Sequence, residues 1–518
     1  MGRSGLQAEA LVVHLFVAGD GEEQDADHEF VLNVWQACAD PPLGMTEPLR
    51  VPDLPVEPSA EQLAERGLGS RLLAGRQAPL PDEQGAPHVQ QALLRREHDS
   101  LCISVVREPP PASRKGWCEL DDEWSEVVRH IPSPPGLLGS ARLFVAQVRA
   151  RRPPRPTPAV TRAVQARWAA PTSTGQPFTR GVTVPPGFAV WEDFPPTDDR
   201  IERRIVVVGA RGEDAALSAW TWVGPERTLP PLGRYLLHAA KVRYQWRIWD
   251  AEQGFRQLRR QADATVQRLL PLIGPATVDG QRQEPSQAQL VRASHELDTL
   301  QADELSLVQT VTRLREMRRT VDIAAANQAA AIGQVQLDGP FASDRSLSGW
   351  FGQQLEDDAA YLEAARERAS QVTTLADQLV GRGQQRRQER FNLGLTGIVG
   401  AILMSLAAIQ SLNYEVPVSG PVKPALITTL GLLTMLVSMV VLRFAVPDRR
   451  WPVVLVWMTC GATAAAATWI GMAAIAGGAS SPARTWLWAG LSFLAGTSLA
   501  WAVTSLRRGC ADSAQAPT

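Results

Sequence analysis

Thiols are few in this chain and poorly spaced for chemistry. Cys38, Cys102, Cys118, Cys460 and Cys510 are all there are in 518 residues. An odd count with no CxxC pair argues against a disulfide framework and a zinc ribbon, and suits a reducing compartment. A surplus of one charge is also missing. With 52 Lys and Arg against 54 Asp and Glu, the net charge is -2, so the whole chain has no nucleic-acid footprint and no nucleic-acid partner is expected. A secretory leader is not evident either. The apolar run Ala10 to Gly19 is interrupted by His14, is too short to span a bilayer and has no small-residue cleavage site after it. It reads as a buried β-strand.

Catalytic constellations are lacking as well. Gln36-Ala37-Cys38-Ala39-Asp40 begins like the caspase nucleophile signature, but the match stops after three residues, and only 37 residues precede Cys38, where that pattern needs a histidine about fifty residues upstream. Cys38 falls late in a helical pattern and reads as a small core residue. His88 and His98 flank a helical pattern with Glu97 alongside, without HExxH, CxxC or an acidic triplet. Gly209-Ala210-Arg211-Gly212 follows a strand-like run but lacks the Gly and Lys-Ser/Thr spacing of a phosphate loop, so it reads as a turn. No catalytic, cofactor-binding or metal-binding residue is assigned, no cofactor is expected, and the chain is read as a non-enzyme.

What the sequence does have is a long tail region with few charges, confined to short connectors. Four stretches, residues 393–412, 425–442, 453–476 and 486–506, each reach or approach the ~20 residues of a membrane-crossing helix. Arg382, Arg386, Arg387 and Arg390 precede the first, Arg443, Arg449 and Arg450 separate the second and third, and Arg507 and Arg508 follow the fourth. By the excess of Lys and Arg on cytoplasmic flanks, both termini are expected inside. The expectation is a multi-pass protein of the cell inner (plasma) membrane, with residues 390–508 as a four-helix transmembrane region in the lipid bilayer and 509–518 as a disordered tail. No Asp, Glu, Lys, Arg or His lies inside the four stretches, which argues against ion-coupled transport. Gly397 with Ala401 and Ala464 with Thr468 are small-xxx-small pairs suited to close helix packing.

Upstream, residues 1–228 mix two periods. Ala10 to Ala18, Leu101 to Arg107, Ala141 to Val148 and Arg204 to Gly209 read as buried strands, and Glu29 to Ala39, His88 to His98 and Asp121 to His130 as helices. That alternation predicts an α+β domain. Pro41 to Asp82 reads as a surface excursion with short helices. Trp220 and Trp222, two apart, would share one face of a strand. Residues 229–389 read as an α-helical bundle or coiled coil: Tyr235 to Leu270, then Ser286 to about Ala331 with Leu300, Leu307, Leu314 and Val321 at heptad spacing, then Leu355 to Val380. Three helices of similar reach favour an intramolecular bundle. The other reading is a stalk that forms a homo-oligomer.

Several stretches resemble one family, the caspase/TPR-repeat-associated (CATRA) proteins of bacterial conflict systems. They are Ala10-Leu11-Val12-Val13-His14-Leu15-Phe16, the segment from Val89 to Asp99, Leu217-Ser218-Ala219-Trp220-Thr221-Trp222, and Arg234 to Lys241 with Arg243-Tyr244. The resemblance covers most of residues 6–390 and implies an N-terminal α+β module followed by a helical module. It also implies an accessory or effector component in defence, membrane-anchored here by the uncharged stretches, with a caspase-like peptidase or a TPR-repeat protein as partner. The alternative is an ion channel with a cytoplasmic helical stalk, in the manner of CorA-type transporters. Against it, the Gly-Met-Asn signature is absent, and Ser411-Leu412-Asn413-Tyr414 stands where it would be sought.

Overall fold

Leu6–Ala18 forms β1, and its alternation explains its position. Leu11, Val13, Leu15 and Val17 point to one face and Ala10, Val12 and Phe16 to the other, and both sets are buried. A strand apolar on both sides needs cover on both sides. In the computed structural model β1 is the middle strand of a nine-stranded sheet. The structure describes residues 5–20, 24–51, 53–65, 69–79, 89–110, 113, 115–168, 181–193, 200–224, 228–251, 254–273, 277–278, 281–282, 287–333, 339–413, 427, 429, 431–432, 434–435, 450–475 and 482–513.

The other strands are β2 (Glu47–Pro48), β3 (Ser70–Gln77), β4 (Gln90–Glu97), β5 (Ser100–Arg107), β6 (Leu137–Val148), β7 (Val182–Val184), β8 (Phe188–Asp193) and β9 (Glu202–Gly209). Their order is β2-β3-β4-β5-β1-β6-β9-β8-β7. All pairings are antiparallel except β6 with β9. One face packs α1 (Gln24–Ala37), α2 (Ala60–Ala64), α3 (Trp117–Val128) and α4 (Pro158–Gln165) through Phe30, Trp35, Leu63, Trp117, Trp124 and Val164. Local chemistry sets their starts. Ser59 and Gln62 form a capping box on α2, and Thr157 caps α4 just before its first-turn proline.

The opposite face packs α5 (Asp214–Thr221) and α6 (Pro231–Ala251) through Leu217, Trp220, Leu232, Tyr235 and Leu236. Three more helices follow: α7 (Gly254–Ile273), α8 (Gln287–Ile332) and α9 (Pro340–Asn413). Helices α6 to α9 share a core of Val242, Trp249, Ala262, Leu307, Leu314, Val321, Phe351, Leu355 and Leu362. Leu307, Leu314 and Val321 of the heptad line therefore meet partners inside the chain, as an intramolecular bundle requires. The chain forms two compact units, Met1–Arg268 with Asp298–Gln371, and Leu269–Leu297 with Val372–Thr518. In the second unit α10 (Arg450–Ile475) and α11 (Pro482–Ser513) pack as a helical hairpin at Gly461 and Gly496. A Cβ at Gly496 would stand 3.0 Å from the Ala464 Cβ, and one at Gly461 only 2.7 Å from the Phe493 carbonyl. Thr468 Oγ1 and Ser492 Oγ are hydrogen-bonded at 2.8 Å across the pair.

Several sequence expectations are corrected. Among the described residues no helix is long and apolar enough to cross a membrane. This overturns the four-helix transmembrane region, the multi-pass inner-membrane placement and its orientation. The third and fourth stretches carry Gly461, Thr468, Ser492 and Gly496 at the contact between their two helices. The first stretch is the end of α9, a 74-residue helix that also carries Arg382, Arg386, Arg387 and Arg390. The second stretch, residues 425–442, lies mostly outside the described residues, and the surroundings of Gly397 and Ala401 are outside the description too. The bilayer as partner and the channel alternative both rested on these spans and find no support.

The segment His88 to His98 is not a helix: residues 90–97 are strand β4, paired with β3 and β5. Its Ala-Leu-Leu-Arg-Arg run fits either period, and its neighbours in the sheet decide. The excursion from Pro41 to Asp82 contributes β2 and β3 to the same sheet. Trp220 lies in helix α5 and Trp222 just beyond its end, both buried in the core beside Phe188 and Leu232.

Candidate functional site: a buried charge network between sheet and helices

Strand β9 alternates Arg203, Ile205, Val207 toward the face covered by α5 and α6, and Arg204, Val206, Val208 toward the other. On β8, Glu192 shares the first face with Val190 and Phe188. The chain thus places an acid and a base under the helices, where each must find a partner. Glu192 accepts two bonds from Arg203, from Nε at 2.6 Å and Nη2 at 2.8 Å, a bidentate fork. The remaining Arg203 nitrogen, Nη1, donates to Asp344 Oδ2 at 2.9 Å. Asp344 sits in the first turns of α9 and takes two more contacts: the Tyr235 hydroxyl donates to Oδ2 at 2.6 Å, and Arg243 Nη2 lies 2.6 Å from Oδ1. Arg200, just before β9, approaches Glu192 Oε2 at 3.5 Å and donates to Ser343 Oγ at 3.3 Å.

All of these charged side chains are buried. Burial alone would push the Asp344 carboxyl up, but Arg203, then Arg243 and Arg200, with the Tyr235 hydrogen bond, hold it well below the usual carboxylate range. Burial would lower the Arg203 guanidinium, yet Asp344 and Glu192 raise it well above its ordinary value. Burial and the neighbouring Asp344 push the Tyr235 phenol well up. The group is therefore locked in one protonation state at neutral pH and cannot relay protons. It can fix geometry, joining β8 and β9 to α6 and the start of α9.

A second polar cluster lies on the same face, on β1, β4 and β5. His14 Nε2 is 2.8 Å from the Thr221 carbonyl and Nδ1 is 2.9 Å from Ser104 Oγ. A carbonyl only accepts, so Nε2 carries the hydrogen, Nδ1 accepts, and Ser104 donates. Burial, with Arg95 nearby, pulls the His14 value down to about 4, despite the Thr221 hydrogen bond. A hydroxyl bonded to an imidazole has the form of an activated nucleophile. Here both groups are wholly buried and the far nitrogen is tied to backbone, so the pair anchors α5 on the sheet.

The residues singled out in the sequence are dispersed. Cys38 is fully buried, and burial pushes its thiol up to about 12 even with Arg76 nearby. His98 occupies the β4–β5 turn at φ +56°. Glu97 accepts from Ser70 Oγ at 2.7 Å, and Gly212 takes φ +88° in the turn after β9. His88 lies outside the described residues. Among the described residues no group of three His, Cys, Asp or Glu is placed to hold a metal ion. Sequence reading missed Glu192, Arg203, Tyr235, Arg243 and Asp344. The one available signal was an acid and an arginine inside apolar strand runs, Phe188 to Asp193 and Glu202 to Gly209.

Residues 10–224 match the family model of the CASPASE and TPR Repeat-Associated N-terminal domain, and residues 230–369 that of the CASPASE and TPR Repeat-Associated C-terminal domain. The charge network joins residues of both matched segments, Glu192, Arg200 and Arg203 from the first and Tyr235, Arg243 and Asp344 from the second. No curated protein and no solved structure matches the chain.

Proposed function

The chain belongs to the CASPASE and TPR Repeat-Associated (CATRA) family, and from that premise we propose that it is a non-catalytic accessory component of a conflict system, presenting its two family domains as one joined surface to a caspase-like or TPR-repeat partner. The observation that carries this reading is Asp344. A single carboxylate receives Arg203 from the sheet and Tyr235 and Arg243 from α6. A pair of domains that merely share a linker needs no such contact, whereas a surface built from both needs a fixed register. The family's name supplies the partner class. The absence of enzymatic chemistry is supported by the sealing of Cys38 and of the His14–Ser104 pair.

The test is co-purification of the full chain with the caspase-like and TPR-repeat proteins encoded beside it. Wild type and Cys38→Ala should retain the partner equally. Asp344→Ala should weaken retention at a temperature where circular dichroism shows the chain still folded. Failure to retain a protein of either class, together with a Cys38-dependent hydrolytic activity of the chain alone, would overturn the proposal.

A further inference from the structure

Between Val148 and Trp168 the chain carries six arginines and no Asp, Glu or Lys. Over the whole chain the two signs nearly cancel, 52 against 54, so this run is a local concentration of positive charge. A carboxylate meets its far end, where Glu9 Oε1 lies 3.2 Å from Arg167 Nη1. Arg149, Arg151, Arg152, Arg155 and Arg162 are exposed, and among the described residues none of the five is ion-paired. Arg211 adjoins the run, with Glu213 and Asp214 after it. With all three counted in, a surplus of four positive charges remains.

The run is also held in place. Proline fixes φ, and the prolines here are packed down. Pro154 is buried, a Cβ at Gly187 would stand 3.3 Å from the Pro153 Cβ, and one at Gly181 only 2.5 Å from the Pro156 Cβ. The Ala150 carbonyl accepts from the Arg211 amide at 3.0 Å and the Arg155 carbonyl from the Thr157 amide at 2.7 Å. Arg162 turns back along α4, donating from Nε to the Pro158 carbonyl at 3.2 Å.

We propose that this arginine surface docks a carboxylate-rich segment of the protein partner, an inference that rests on the partner class proposed above. The guanidinium fork matches a carboxylate in a bidentate way. A backbone already fixed by its prolines loses little freedom on binding, and opposite charge relieves the repulsion among like charges on the surface. A nucleic acid is the weaker fit, because bases are held by stacking on rings. No aromatic residue lies between Arg149 and Arg167, and Trp168 packs edge-on against Phe144 with ring centres 4.5 Å apart.

The test uses the full chain and a fluorescein-labelled peptide of about ten glutamates. Anisotropy should report binding that weakens as salt rises, since screening acts on exposed charge. Arg151→Glu, Arg152→Glu and Arg155→Glu together should weaken it about tenfold or more, with circular dichroism unchanged. Should that variant not fold, phenylglyoxal labelling of the wild type decides, and the peptide should protect Arg151, Arg152 and Arg155. Equal affinity of wild type and variant, or no protection, would overturn the proposal. So would tighter binding of an oligothymidylate of the same length, lost in the same variant, which would assign the surface to nucleic acid. In the co-purification the glutamate variant should lose the partner. A variant that keeps it overturns this docking site and leaves the accessory reading standing. A wild-type chain that retains no partner overturns that reading, and the peptide measurement still decides this one.

Discussion

Arg203 and Asp344 stand 141 residues apart in the chain and 2.9 Å apart in space, and each is buried. Removing one partner leaves the others as buried, uncompensated charge. Asp344→Ala strands Arg203 Nη1 and Arg243, and should cost about 3–5 kcal/mol of stability. The exposed pair Arg315–Glu363, at 2.8 Å, is the control: Arg315→Ala should change stability by under about 1 kcal/mol. Chemical denaturation at pH 7 measures both. The Asp344 carboxyl is depressed in the folded chain. Its contribution is therefore complete above the unfolded carboxylate value of about 3.9 and is lost as pH falls below it. The gap between wild type and Asp344→Asn should narrow in that acid range. A loss of under about 1 kcal/mol for Asp344→Ala would mean the network does not hold the two domains together.

The His14 imidazole responds to pH in the opposite way to an ion-paired histidine. Its folded value is pulled to about 4 by burial, against about 6.5 in an unfolded chain. Between those values the unfolded chain binds a proton and the folded chain does not. Stability should therefore fall as pH drops from about 6.5 toward 4, by up to about 3 kcal/mol for this one group. His238, also pulled down to about 4 by burial and then Lys241, acts in the same direction. His14→Gln should flatten the loss between pH 7 and pH 5 without abolishing it. An unchanged slope would mean that His14 is hydrated in the folded chain.

Much of the sheet was legible in the sequence, and the reason is specific. β1, β5, β6 and β9 are rich in Val, Ile, Leu and Phe and buried on both faces, so continuous apolar runs mark them. β4 was misread because Arg95 and Arg96 interrupt its apolar run. Arg96 is held mainly by neighbours far away in sequence, Asp20 at 3.2 Å and the Leu63 carbonyl. The charge network was invisible for the same reason. Glu192, Arg203, Tyr235, Arg243 and Asp344 are ordinary polar residues until the fold brings them together, and no local spacing announces that. The membrane expectation failed differently. It rested on the absence of charge over about 20 residues, a feature that helices packed on each other at Gly461 and Gly496 share.

The α10–α11 hairpin depends on those two glycines. Gly496 faces Ala464, the Gly461 Cα and the Cys460 carbonyl, all within 3.2 Å of where a Cβ would stand. Gly496→Leu should force the helices apart and cost about 1–3 kcal/mol. Gly490→Leu, with open space at its Cβ position, should be near neutral. Protease sensitivity of residues 450–513 reports the difference. Equal resistance of the two variants would place the helix contact elsewhere.

Thiol reactivity separates a buried core cysteine from a nucleophile. Cys38 and Cys102 are fully buried, and burial raises both thiols, Cys38 to about 12. Against a free thiol near 8.5, a value of about 12 lowers the thiolate fraction at neutral pH by about three orders of magnitude. Lack of access lowers the rate further. Cys118 is only partly buried, its Sγ 3.4 Å from the Arg167 carbonyl. Under native conditions an alkylating reagent should therefore modify Cys118 well before Cys38 or Cys102, with the last two reacting only as the chain unfolds. Mass spectrometry of a labelling time course reads the order directly. Rapid native labelling of Cys38 would mean an accessible, activated thiol beside Arg76, and the caspase-like reading of Gln36-Ala37-Cys38 would have to be reopened.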